Sequence, residues 1–150
     1  QKSIIVSTTG KTSREIFEIR KNNNQTHDHD FLTVGSMGHC SSIALGIALS
    51  RPDQQIVCID GDGSLLMHLG AISALIELTP KNLKYILLNN NVHESVGGQR
   101  TVAGNLDIFK MISSVTKNDC ISTNTLESLS DLLPNFLRKQ ELSFLRRTSS

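Results

Sequence analysis

Short apolar runs alternate along the chain with longer stretches in which apolar residues recur at helical spacing, and polar turns separate the two. Residues 4–6, 31–34, 56–59, 83–88, 119–122 and 143–146 read as strands. The first, third and fourth of these are almost continuously apolar, as strands buried on both faces are. Between them, Ile16, Phe17 and Ile19 mark one face of a first helix, and Thr12 with Glu15 three residues on fits a capping box at its start. Cys40–Ser50 is apolar or small nearly all round, the pattern of a buried helix. Leu65, Leu66, Leu69, Ile72, Leu75 and Ile76 predict one helix with one face on a sheet, stopped by Thr79-Pro80. Further helices are expected over 107–114 and 126–138. Strands alternating with helices predict an α/β fold: a doubly wound, mainly parallel sheet of about six strands with helices on both faces.

One stretch carries chemistry. The strand at 56–59 runs into Asp60-Gly61-Asp62-Gly63-Ser64, and the strand at 83–88 ends in Asn89-Asn90-Asn91. Parallel pairing would set Asp62 beside the asparagines at the carboxyl ends of the strands, where open α/β sheets bind ligands. Gly63 and Ser64 would open a helix and offer free N–H groups to a phosphate. A carboxylate, an amide oxygen and a backbone carbonyl are the oxygen ligands that Mg²⁺ or Ca²⁺ takes, so the residues by themselves suggest a metal-bridged diphosphate.

Gly61-Asp62-Gly63-Ser64, followed at the right distance by Asn89-Asn90, resembles the signature of the thiamine diphosphate-dependent decarboxylase and acetolactate synthase superfamily. That resemblance implies Asp62 and Asn90 as side-chain Mg²⁺ ligands, the backbone carbonyl of Val92 as a third, and Gly61, Gly63 and Ser64 as cofactor-binding residues. It also implies a first loop touching the diphosphate, with Thr9, Gly10 and Thr12 as candidates. In Gly35-Ser36-Met37-Gly38 it implies that the Gly35 carbonyl holds the aminopyrimidine and that Met37 wedges between the two rings of a bent cofactor. Without the motif Met37 would read as core filling. Position 91 is Asn where relatives often have Gly; Asn tolerates a positive φ better than most residues.

Two other local patterns point elsewhere and fail. Gly10-Lys11-Thr12 looks like the end of a P-loop, but the required earlier glycine falls on Ile5. His27-Asp28-His29-Asp30 could be drawn as a metal site. Without further ligands at recognisable spacing it reads as a solvated connection. Met67 and His68 read as local packing.

The formal net charge of +1 and a pI near 7.9 supply no field to attract nucleic acid. Cys40, Cys58 and Cys120 are odd in number and widely spaced, which favours packed, reduced thiols and a cytoplasmic setting. No apolar run approaches the roughly 18 residues that span a bilayer. Residues 1–150 read as one domain, and the start at Gln1 fits a piece of a longer chain.

Thr8 to Thr12, residues 31–39 and residues 93–99 resemble more closely the phosphonopyruvate decarboxylase family. The activity implied is the diphosphate- and Mg²⁺-binding half of a 2-keto acid decarboxylase that converts 3-phosphonopyruvate to phosphonoacetaldehyde and CO₂. In such enzymes a glutamate on a separate pyrimidine-binding domain activates the cofactor. That domain has no counterpart here, and Glu15, Glu18 and Glu94 lie in the wrong motifs to replace its glutamate. A pyrimidine-binding domain or subunit is therefore the expected partner, in a homo- or hetero-oligomer. The polar loop from Val92 to Arg100 would meet a 2-keto acid, with His93 the expected substrate contact and Ser95, Gln99 and Arg100 as further donors. The alternatives are a beta-type sulfopyruvate decarboxylase subunit and a non-catalytic binding module. The segment after residue 107 reads as scaffolding.

Overall fold

The computed structural model describes residues 3–93 and 97–148. The elements in chain order are β1 (Ile4–Ser7), α1 (Lys11–Asn22), β2 (Asp30–Leu32), α2 (Cys40–Ser50), β3 (Ile56–Gly61), α3 (Asp62–Met67), α4 (Ala71–Leu78) and β4 (Leu83–Asn89). They continue with β5 (Val92–His93), β6 (Gln99–Arg100), a 3₁₀ turn at Val102–Gly104, α5 (Ile108–Val115), β7 (Asp119–Thr123), α6 (Leu126–Arg138) and β8 (Ser143–Thr148).

The expected α/β architecture is what forms. Six strands, all paired in parallel, make one sheet in the order β2-β1-β3-β4-β8-β7. Because side chains alternate along each strand, the register sorts them into two faces. Val6, Cys58, Tyr85 and Phe144 lie in one row across four strands and pack with Ala44 and Ala48 of α2, Leu75 of α4 and Ile112 of α5. Each large side chain buried this fully contributes about 1.5–3 kcal/mol. On the opposite face α1 is tied to β1 through the Ser7 and Ser13 hydroxyls, 2.6 Å apart, and α6 buries Phe136 completely.

Several local expectations need correction. The helix predicted through Leu65 and Ile76 is broken: α3 ends at Met67, and the amides of Ala71, Ile72 and Ser73 bond back to the carbonyls of His68, Leu69 and Gly70 in a tight turn before α4 settles. The loop at Gly38 packs into that break, where a Cβ on Gly38 would strike Met67, His68 and the Ser64 carbonyl. The capping box at Thr12 does not form. The helix starts two residues earlier, with Gly10 at its N-cap in a positive-φ conformation and no side-chain cap. α2 is buried along Cys40, Ser41, Ala44, Leu45 and Ala48, while Leu49 is half exposed, so the helix has an outer face after all. β2 stops at Leu32, and Val34, expected inside the strand, is almost wholly exposed.

The segment at His27 to Asp30 is more than a solvated connection. The Asp30 carboxylate is buried and receives Arg20 through Nε and Nη2 at 3.1 and 3.0 Å, while His27 stacks on Phe17 with ring centroids 4.4 Å apart. Arg20 sits near the end of α1, ten residues before Asp30, so local spacing gave no hint of the pair. Cys40 and Cys58 are free thiols, buried with their sulfurs 3.6 Å apart, and Cys120 is free as well. Among the described residues, no helix is long and apolar enough to cross a membrane.

Candidate functional site

β1, β3 and β4 end at the same edge of the sheet, and the turns leaving them surround a cavity of about 470 Å³. Thr9 and Thr12 line it from the first turn, Met37 from the loop before α2, and Gly61 to Ser64 from the start of α3. Asn90, Val92 and His93 close it from the turn after β4. Gly10 and Gly35 lie one and two residues outside that lining. Glu94 and Ser95, both named from the sequence, lie outside the described residues.

Each side chain is held for a local reason. Asp62, 2% exposed, accepts a hydrogen bond from the Thr101 hydroxyl to Oδ2 at 2.5 Å, which leaves Oδ1 for a further partner. Thr101 is itself fixed by its amide, which donates to the Asn91 carbonyl at 2.9 Å. The Asn90 amide oxygen accepts the Val92 N–H at 3.1 Å, and the Asn89 oxygen accepts the Asn91 N–H at 3.2 Å, so two overlapping side-chain turns bend the chain out of β4. Asn91 sits at φ 60, the left-handed conformation anticipated for it. One lone pair on the Asn90 oxygen remains for a further partner.

Ser64 faces two ways. Its hydroxyl accepts the Gly38 N–H at 3.0 Å, joining the Met37 loop to the first turn of α3. Below it, Asp60 is fully buried and accepts from the Tyr85 hydroxyl and the Gly61 amide, both at 2.9 Å. Burial pushes the Asp60 carboxyl up from its usual value, while hydrogen bonds from Ser64, Tyr85, Gly61 and Thr8 pull it back down. This carboxylate therefore ties the tips of β1, β3 and β4 to the start of α3.

The loop expected from Val92 to Arg100 contains a small antiparallel ladder, with Val92 opposite Arg100 and His93 opposite Gln99. The His93 imidazole lies directly over Gly63, and a Cβ at that position would overlap the ring. Gln99 and Arg100 are exposed and do not line the cavity.

The reading of the chain after residue 107 as scaffolding missed one lining residue, Arg147 of β8. Thr101 and Tyr85 were missed as well. Their signal is positional, a hydroxyl beside a buried carboxylate, and becomes visible only once the strands are paired. Among the described residues, no group of three or more His, Cys, Asp and Glu side chains could hold a metal. A cation here would have to use the mixed donors: Asp62 Oδ1, the Asn90 amide oxygen and a backbone carbonyl, a set suited to hard cations. These residues fit a diphosphate with its cation, since both oxygen donors open onto the cavity that receives the first turn of α3.

Comparison with known proteins identifies the family. The family model described as thiamine pyrophosphate enzyme, C-terminal TPP binding domain, matches residues 8–124. A phosphonopyruvate decarboxylase of Streptomyces viridochromogenes is 38% identical over 133 residues, covering 89% of this chain and 32% of that protein. The sulfopyruvate decarboxylase subunit beta of Methanocaldococcus jannaschii is 36% identical over 141 residues, covering 94% of this chain and 72% of that subunit. The chain thus spans about a third of the length of the first relative and most of the second. An X-ray structure from Mycobacterium smegmatis, assigned as a thiamin diphosphate-dependent enzyme, superposes with a TM-score of 0.76 over 98% of this chain and 28% of that one. At 19% identity it speaks to the fold alone. With the family model matched over most of its length, this chain belongs to the thiamine pyrophosphate enzyme family as a C-terminal, TPP-binding domain.

Proposed function

We propose that this chain is the diphosphate- and Mg²⁺-binding half of a thiamine diphosphate-dependent 2-keto acid decarboxylase that acts on 3-phosphonopyruvate. The observation that carries the reading is one cavity in which Asp62, Asn90 and the first turn of α3 converge. In it Asp62 and Asn90, with the Val92 carbonyl, hold Mg²⁺; Gly63, Ser64, Thr9 and Gly10 hold the diphosphate; Gly35 and Met37 orient the pyrimidine end. Thiamine diphosphate, when bound, supplies the electron sink that decarboxylation needs. The chain's own share is to neutralise the diphosphate, fix its position and present His93 to the substrate. A pyrimidine-binding domain or subunit supplies the remaining half, in a cytoplasmic homo- or hetero-oligomer.

A second reading, the beta-type subunit of a sulfopyruvate decarboxylase, is supported by the larger share of the Methanocaldococcus subunit that this chain covers. The two differ in the group on the substrate's methylene, a phosphonate or a sulfonate.

Calorimetry of Mg²⁺ with thiamine diphosphate, on the chain joined by a pyrimidine-binding partner, tests the metal assignment. Asp62→Ala is expected to weaken binding by more than the 10–100-fold typical of an indirect contact, because it deletes a direct anionic ligand. Equal affinities would reject the assignment. The same complex should turn over phosphonopyruvate with a higher kcat/KM than sulfopyruvate or pyruvate, and His93→Ala should erode that preference together with the rate. Preference for sulfopyruvate selects the second reading. No turnover of any 2-keto acid would leave a binding module.

A further inference from the structure

β8 carries two consecutive arginines whose side chains, by strand alternation, leave opposite faces of the sheet. Arg146 is fully engaged: Nη1 donates to Asp107 at 2.7 Å, Nε donates to the Ser122 hydroxyl at 3.0 Å, and the guanidinium lies 5.1 Å from the centre of the Phe109 ring. Arg147 is the opposite case. It stands beside Leu88 in register and lines the cavity, yet its Nε and Nη1 are shielded from solvent with no hydrogen-bond partner among the described residues. Two carboxylates share the cavity, those of Glu15 and Asp62, and neither forms an ion pair with it. Asp62 is turned instead toward Thr101.

Shielding guanidinium N–H groups without a partner is costly, and native proteins rarely leave them so. A guanidinium in the wall of a cavity, with two of its nitrogens lacking a protein acceptor, supplies the charge and the N–H donors that a tetrahedral oxyanion takes from arginine. We propose that Arg147 is an anchor for a phosphate-type oxyanion bound in this cavity. Two sources share that chemistry: a diphosphate, and a phosphonate carried on a substrate. The choice of these two rests on the function proposed above, whereas the anion site rests on Arg147 alone.

The test uses the 150-residue chain, free of divalent cations, so that loss of a metal site at Asp62 cannot imitate the result. Inorganic pyrophosphate and methylphosphonate are each titrated into the wild type, Arg147→Gln and Arg147→Lys, with the Arg147 Nε–H NMR signal followed in the wild type. Arg147→Gln should weaken at least one anion by about tenfold or more, as loss of a charge-assisted bond does, and Arg147→Lys should recover part of it. Loss confined to pyrophosphate assigns the cofactor's diphosphate, and loss confined to methylphosphonate assigns the substrate's phosphonate. Unchanged affinity for both anions, or a wild-type Nε–H signal that moves with neither, overturns the proposal. The NMR readout decides the matter even if Arg147→Gln fails to fold. A chain that binds anions through Arg147 but takes up no Mg²⁺ through Asp62 would keep this inference while rejecting the metal assignment.

Discussion

Lys84 is sealed near the start of β4, its ammonium donating to the backbone carbonyls of Glu141 and Lys81. Burial lowers its pKa from 10.5 to about 8, with the nearby Glu141 charge opposing the drop. The unfolded chain therefore binds the more protons between these two values, so stability rises as pH climbs from about 8 toward 10.5. Replacing Lys84 by Met removes that gain. Denaturant titrations at pH 7 and pH 10 should show the variant losing about 2–3 kcal/mol relative to wild type over that span. A constant difference would mean that Lys84 keeps an ordinary pKa. Asp60, a buried carboxyl at the carboxyl end of β3, is compensated by several donors and marks a structural joint beneath the cavity.

Among the elements, the packing of His93 over Gly63 makes the ladder of β5 and β6 the roof of α3's first turn. Gly63→Ala puts a methyl where the ring now lies. The ring can swing away at little cost, so folding stability should change by no more than about 1 kcal/mol. The His93 ring signals in NMR should shift markedly. Unmoved signals would show that the ring does not pack there in solution. The strands were legible in the sequence because a run buried on both faces is apolar throughout, and the asparagine turn was legible because Asn tolerates its left-handed conformation. The break between α3 and α4 was not. Leu65, Leu66, Leu69 and Ile72 keep helical spacing across it, and the loop at Gly38 that packs into it lies some 30 residues earlier in the chain. Arg147 was hidden for a related reason: the expected strand stopped at residue 146, and only pairing with β4 extends β8 through Arg147 and Thr148.

At the scale of the whole molecule, the strand order separates chain position from place in the sheet. β2, at one edge, has only three residues, which limits the bare edge it offers to other chains. β8, which follows β7 in the chain, is an inner strand and carries both the β4 and the β7 ladders. During synthesis β7 therefore emerges with no strand to pair with, and the sheet cannot close until residues 143–148 have left the ribosome. A chain stopped after residue 142 should lack a cooperative unfolding transition in calorimetry, and retention of one would contradict this. Strand β8 acts as a keystone: losing its six residues costs far more than their own contacts, and quality control would meet an open sheet until the last of them arrives.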